Sequence, residues 1–304
     1  MEPGLTNWLR LIALGVIWGS SFMMVSIALQ DIGPLSVAAG RIVIGAIILL
    51  IINRLMGNAL PTFSGSDGRK VWLAALGFGF FSMALPFFLL SWGQQYVASG
   101  FAGVTMAAVP LLVLPLAHFM VPGDQLTLPK GLGFVIGFSG VIVLIGLNAF
   151  DSLGTAFEPL ARLACFGAAA CYAIGSIIAR VAPKTDPIAF AATATTLAAI
   201  MITPIAVLVE GIPATPSTLS IIAVSFLGAI PTAVANLLLV AIIRSAGPTF
   251  YSLVNYQVPI WSVIFGALFL SEALPSRTVF ALALILAGVG ISQWTTLRRL
   301  VNRS

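Results

Sequence analysis

The chain has 304 residues, of which 60% are hydrophobic and 8% charged, with a net charge of +5 and a mean hydropathy of +1.10. A soluble domain is about 45–50% apolar and about 25% charged, so this chain has too few charges to cover a water-facing surface. That excludes a soluble enzyme, a disordered tail and a secreted disulfide scaffold, and the basic residues, set in gaps between apolar runs, mark membrane topology rather than a nucleic-acid footprint.

A membrane-spanning helix needs about 20 mostly apolar residues. The first such run covers roughly 8–29 and is read as a retained helix rather than a signal peptide, because it is long and its basic flank is only Arg10. Trp18 and Ser21 share one face of it, near mid-depth, where an interfacial aromatic belt does not reach. The second run, roughly 34–56, opens at Pro34 and holds Arg41, the one charge well inside a span. Intramembrane charges are functional or paired, and Arg41 is assigned a structural or gating role. The third run, roughly 70–92, offers Phe78, Ser82 and Pro86. The fourth, roughly 98–120, presents Gly103, Met106, Ala107 and Pro110 on one face with Thr105 beside it.

The fifth run, roughly 130–149, contains Gly133-xxx-Gly137, suited to close helix packing, and Gly137-Phe-Ser-Gly140, which looks like a serine-protease motif. Its Ser139 would need a base, yet His118, the only histidine, lies at a depth roughly 10 Å away. The sixth run, roughly 158–180, carries Tyr172 with Ser176, and two cysteines, Cys165 and Cys171, roughly 9 Å apart on a helix and beyond disulfide reach. A seventh run spans roughly 186–209, and an eighth, roughly 217–241, offers Thr232 and Asn236. The ninth, roughly 247–270, has the clearest polar stripe, Ser252, Asn255, Tyr256 and Pro259 at i, i+3, i+4 and i+7. Pro259 removes a backbone hydrogen bond and leaves a carbonyl near Asn255 open to a ligand. The tenth covers roughly 276–297.

Ten helices place eleven of the 14 cations on the N-terminal side, with Arg162 and Arg277 opposite and Arg41 between. That bias makes both termini cytoplasmic. The halves also match each other. A shift of 149 aligns Phe101 with Phe250 and Pro110 with Pro259, and a shift of 148 aligns Asp124 with Glu272 and Gly140 with Gly288. Trp18 against Tyr172 and Pro34 against Pro187 match more weakly. Five helices per repeat is odd, so residues 1–150 and 151–304 read as inverted copies, a recurring build for secondary transporters. Asp124 and Glu272 precede helices and suit N-terminal capping.

Trp18-Gly-Ser-Ser-Phe22, Pro34 with Arg41, Tyr96-Val-Ala-Ser99, Pro110 and the Asp124/Glu272 segments together resemble the drug/metabolite transporter superfamily in its ten-helix EamA type. Within it the chain looks most like bacterial exporters of amino acids and related metabolites, of the YddG type. The resemblance implies an all-α polytopic membrane protein, a basket of ten helices around a central cavity lined by helices 1, 3, 4, 6, 8 and 9. Helices 5 and 10 would lie at the periphery. The substrate-lining set is Trp18, Ser21, Phe78, Ser82, Thr105, Tyr172, Ser176, Asn236, Ser252, Asn255 and Tyr256, with Arg41, Pro86, Pro110 and Pro259 as gating or structural residues. No Asp, Glu or Lys lies mid-membrane, which disfavours quaternary cations and nucleotide sugars and suits amino acids, neutral or aromatic metabolites. The expected protein is a monomeric exporter of the bacterial inner membrane, with a dimer as the alternative assembly. It needs no cofactor, metal or nucleic acid. A broader drug, purine or sugar transporter of the same fold, or a channel-like facilitator, is the alternative.

Overall fold

Segments this apolar can satisfy their backbone polar groups in hydrocarbon only as helices or closed barrels, and here they are helices. The computed structural model describes residues 4–121, 127–145, 157–273, 275–292 and 294, and among them no strand occurs. The first five helices are α1 (Leu5–Ala28), α2 (Pro34–Leu55), α3 (Asp67–Gly93), α4 (Ser99–Met120) and α5 (Leu128–Ile145). The second five are α6 (Glu158–Val181), α7 (Pro187–Glu210), α8 (Thr218–Gly247), α9 (Val254–Leu270) and α10 (Ser276–Ser292). Seven are long and apolar enough to cross a membrane, and α5, α9 and α10 are shorter apolar helices. Large apolar side chains, among them Leu9, Ile51, Leu73, Val135, Leu208 and Leu268, remain exposed on the outside of the bundle. Such a surface is suited to lipid.

Packing follows one scheme. α2 lies against α7, α4 against α9, and α5 against α10; α1 runs along α8 and α9, while α6 runs along α3 and α4. Adding five to each helix number, counted around the ten, maps these contacts onto one another. α5 and α10 touch the rest of the bundle chiefly through α4 and are peripheral, as the resemblance implied. Their contact is made by glycines: a methyl at Gly288 would run into the Gly137 backbone, and one at Gly133 into the Gly288 carbonyl. The Gly133-xxx-Gly137 pair therefore serves packing within the bundle. Ser139 donates to its own helix at Ile136 O (2.7 Å) on an exposed face, and His118 is exposed at the end of α4, so the protease-like motif holds no dyad.

Two departures from regular helix are not legible in the hydropathy. α3 contains a π-helical stretch at Phe80–Ala84 and α8 one at Gly228–Val234, positions related by the repeat shift of 149. Proline explains both locations, because it lacks the N–H its i−4 carbonyl expects and its ring pushes that carbonyl aside. Pro86 lies just past the first stretch and Pro231 inside the second. α4 breaks differently, into a 3-10 turn at Met106–Ala108 just before Pro110. α8 also extends past its expected end to Gly247, whose φ of 85° is open to glycine, and a separate helical turn ending at Tyr251 precedes α9.

At the end where α1 hands over to α2, carboxylates from one half cap helix N-termini of the other. Glu210 accepts from the Leu35 and Ser36 N–H groups (2.9 and 2.8 Å) at the start of α2, which has no side-chain cap of its own. Glu272 accepts from Ser99 N (2.7 Å) and Gly100 N (3.0 Å) at the start of α4. The expectation that Glu272 caps the helix following it is thus corrected: its partner is a helix of the other half, because the α9–α10 turn folds over that end. Asp124, its counterpart, lies outside the described residues. Asp31 accepts from Ser217 N (3.1 Å) and Ser220 Oγ (2.8 Å) at the start of α8, and these bonds hold its carboxyl below the ordinary value of 3.8. A depressed native pKa stabilises the fold above the unfolded-state value and is lost as pH falls through the native one. The melting-temperature gap between wild type and Asp31→Asn in detergent should therefore be present at neutral pH and close as pH drops below about 3.8.

Candidate functional site

The six helices expected at the centre do meet there. Leu14 and Phe22 of α1, Leu90 of α3, Ala102 of α4, Ala168 of α6, Ala235 of α8 and Val258 of α9 belong to one apolar cluster. Trp18, Met106, Tyr172 and Tyr251 pack on its edge.

Beside this cluster the π-helical stretch of α8 forms a polar hub. Pro231 cannot donate to the Leu227 carbonyl, and the Thr232 hydroxyl does so instead (2.8 Å). The Pro231 carbonyl accepts from Trp18 Nε1 (3.2 Å), and the Thr232 carbonyl from Asn236 Nδ2 (2.5 Å). Thr232 Oγ1 also accepts from Arg41 Nη2 (3.4 Å). Trp18, Arg41, Thr232 and Asn236, read from three different helices, are therefore one constellation. Arg41 is 6% exposed and its guanidinium stands 3.7 Å above the Phe87 ring. Phe87 in turn packs on Tyr172 with centroids 6.5 Å apart, while Trp18 meets Tyr251 edge-on at 6.4 Å. The result is an arc of aromatic and hydrogen-bonding groups from α1 through α8 and α2 to α3 and α6. π-helical segments are found mostly at functional sites, since they expose carbonyls that a regular helix would use.

The other predicted residues are placed as follows. Ser21, Thr105 and Ser176 donate to their own helices, at Trp18 O (2.6 Å), Phe101 O (2.9 Å) and Ala173 O (2.7 Å), so each keeps only acceptor capacity. Ser176 is exposed and Thr105 fully buried. Ser82 seats against Gly175 of α6, a position with no room for a side chain. Phe78 packs on Phe190 of α7 (5.5 Å) and against the cluster that also holds Phe87 and Tyr172. The stripe on the ninth helix is divided, because Ser252 falls in the turn before α9 and the helical register does not run through it. Asn255 lies in the first turn of α9, and Tyr256 packs with the α4, α5 and α10 cluster, its hydroxyl buried without a partner. Pro86 and Pro259 are buried and Pro110 partly so.

Phe87, Pro231 and Tyr251 belong to the site although sequence reasoning does not single them out. The repeat shift of 149 sets Phe87 opposite Asn236, a signal present in the sequence. Pro231 reads as ordinary punctuation in an apolar run. Both cysteines are free and buried, and among the described residues no group of three His, Cys, Asp or Glu side chains could hold a metal. A cavity of about 360 Å³ opens at the capped end, lined by Tyr96, Phe101, Glu158, Arg162, Glu272 and Arg277 among others.

Comparison with known proteins places this geometry. The model of the EamA-like transporter family matches twice, over residues 7–146 and 160–293. An uncharacterized transporter of Archaeoglobus fulgidus is 25% identical over 94% of this chain and 98% of its own length. The uncharacterized transporter YoaV of Bacillus subtilis is 23% identical over 96% and 98%, respectively. The uncharacterized inner membrane transporter YedA of Escherichia coli is 28% identical over 92% and 88%. A crystal structure of a protein 20% identical in sequence shares the fold, with a TM-score of 0.67 over 96% of this chain and 98% of that one.

Proposed function

The chain belongs to the EamA-like transporter family, a multi-pass membrane transporter and not an enzyme, and from that premise we propose that it exports amino acids and related small metabolites by alternating access. Residues 1–150 and 151–304 act as inverted five-helix repeats, so that equivalent elements open toward each face in turn. It works as a monomer in the bacterial inner membrane with both termini in the cytoplasm, the orientation the cation bias favours. α4 and α9, bent at Pro110 and Pro259, are the moving gates. The single observation carrying this reading is the polar hub at Thr232. There Trp18, Arg41 and Asn236 from three helices converge on carbonyls and a hydroxyl that a regular helix would not expose. Aromatic surfaces beside a few fixed polar groups suit a small amphipathic solute better than a sugar or a multivalent ion.

The test is flux in proteoliposomes loaded with radiolabelled amino acids, with and without an imposed pH gradient. Saturable export of neutral and aromatic amino acids, indifferent to the gradient, is the expected result. If no amino acid moves above empty liposomes, the substrate class is wrong, and purines, sugars and drug-like cations take its place in the panel.

A further inference from the structure

Arg41 carries a charge that no described residue neutralises. Among the described residues no carboxylate pairs with it; its Nη2 makes one long hydrogen bond to a neutral hydroxyl (3.4 Å), and its Nε is buried without any partner. The side chain is 6% exposed, at a helix position about 10 Å inside the span. A guanidinium is always charged and presents donors in a planar fork matched to a carboxylate. Burying such a group among neutral partners is costly, and intramembrane charges that persist line substrate or ion paths. The large majority of buried polar side-chain atoms are hydrogen-bonded, whereas Arg41 Nε, beside the hub, has no partner.

Resting on the amino-acid reading above and deepening it, we infer that Arg41, positioned by its hydrogen bond to the Thr232 hydroxyl, is the binding site for the carboxylate group of the transported solute. The placement explains how the site opens. Arg41 leans on Phe87 of the first half and Thr232 of the second, so rocking the halves apart separates its two contacts and bares the fork. Phe87 and Tyr172 then offer an aromatic wall to the solute's side chain, while in the closed state the Phe87 face shields the empty cation. The repeat counterpart of Arg41, at a shift of 153, is Ala194, so the two halves provide one carboxylate site and not two.

The experiment compares flux, and thermal stabilisation of detergent-purified protein, for three matched solutes: phenylalanine, its carboxamide, and phenylacetate. Wild type should move and be stabilised by phenylalanine over the carboxamide by about 10–100-fold, the range for one charge-assisted contact. Arg41→Gln should abolish that preference, Arg41→Lys should retain part of it, and Thr232→Val should weaken it while leaving the cation in place. An equal response to phenylalanine and its carboxamide in wild type overturns the proposal even if amino acids are transported. A well-folded Arg41→Gln that keeps the wild-type preference overturns it as well. Recognition of phenylacetate with no response to phenylalanine would instead sink the amino-acid reading and leave the carboxylate site standing. Should Arg41→Gln fail to fold, the wild-type stabilisation series and Thr232→Val still decide. No carboxylate-dependent stabilisation in wild type ends the idea.

Discussion

Valine at Gly79 or at Gly228 should cost roughly the same stability, about 1–3 kcal/mol of overpacking, and should stop transport in both cases. Each glycine stands at the edge of a π-helical stretch and against the second helix of the opposite half. A methyl at Gly79 would strike the Ala194 carbonyl of α7; one at Gly228 would lie 2.5 Å from Ile44 Cβ and 2.9 Å from the Arg41 carbonyl of α2. The pairs correspond under the proposed repeat, since Gly79 and Gly228 differ by 149 while Arg41 and Ala194 differ by 153. At Gly79 the neighbour is backbone of a packed helix, and at Gly228 it is the branched Cβ of Ile44 with the Arg41 carbonyl behind it, so neither can swing away as the far end of a long side chain would. Melting of the two variants in detergent, with flux in proteoliposomes, checks this. If one variant melts and transports like wild type while the other collapses, the two halves do not perform equivalent packing roles.

Trp18→Ala should lower flux at least about tenfold without preventing membrane insertion. Truncating a core tryptophan costs about 3–5 kcal/mol, and partly buried Trp18 falls at the lower end. Two contributions can be separated. The indole N–H holds the Pro231 carbonyl at 3.2 Å, and the ring meets Tyr251 and the central cluster. Trp18→Phe keeps most of the aromatic body and removes only the N–H, so it should lose about 3–10-fold in flux, the range for one net hydrogen bond. Asn255→Ala, at the start of α9, should lower flux with normal insertion as well. Wild-type flux at wild-type expression in Trp18→Ala would remove the hub from the transport path.

The different placements of Phe78 and Tyr172 show where sequence reading stops. Both are aromatic residues within apolar runs, and nothing in spacing separates them. Both pack against the cluster around Phe87, but Tyr172 also reaches the central cluster, whereas Phe78 packs on Phe190 of α7. In a helix that is apolar on nearly every side, hydropathy has no preferred face, because lipid and protein interior are equally apolar. Facing is then decided by close packing, here by small residues such as Gly175 under Ser82. The same limit explains Tyr256, whose place on an ideal stripe depends on a register that the turn at Ser252–Leu253 interrupts.

By itself the sequence determined the membrane setting and the ten helices, while the peripheral place of α5 and α10 came from the family resemblance. The first two follow from run length and from charge, which are local quantities. Only the tertiary structure decided that Glu272 caps α4, that Trp18, Arg41 and Asn236 share one hub, and that Arg41 stands between the halves over Phe87. Those contacts join residues as much as 213 positions apart. The hub bonds depend on where proline diverts α8 into a π-helical stretch and turns particular carbonyls outward, and a hydropathy pattern contains no term for that.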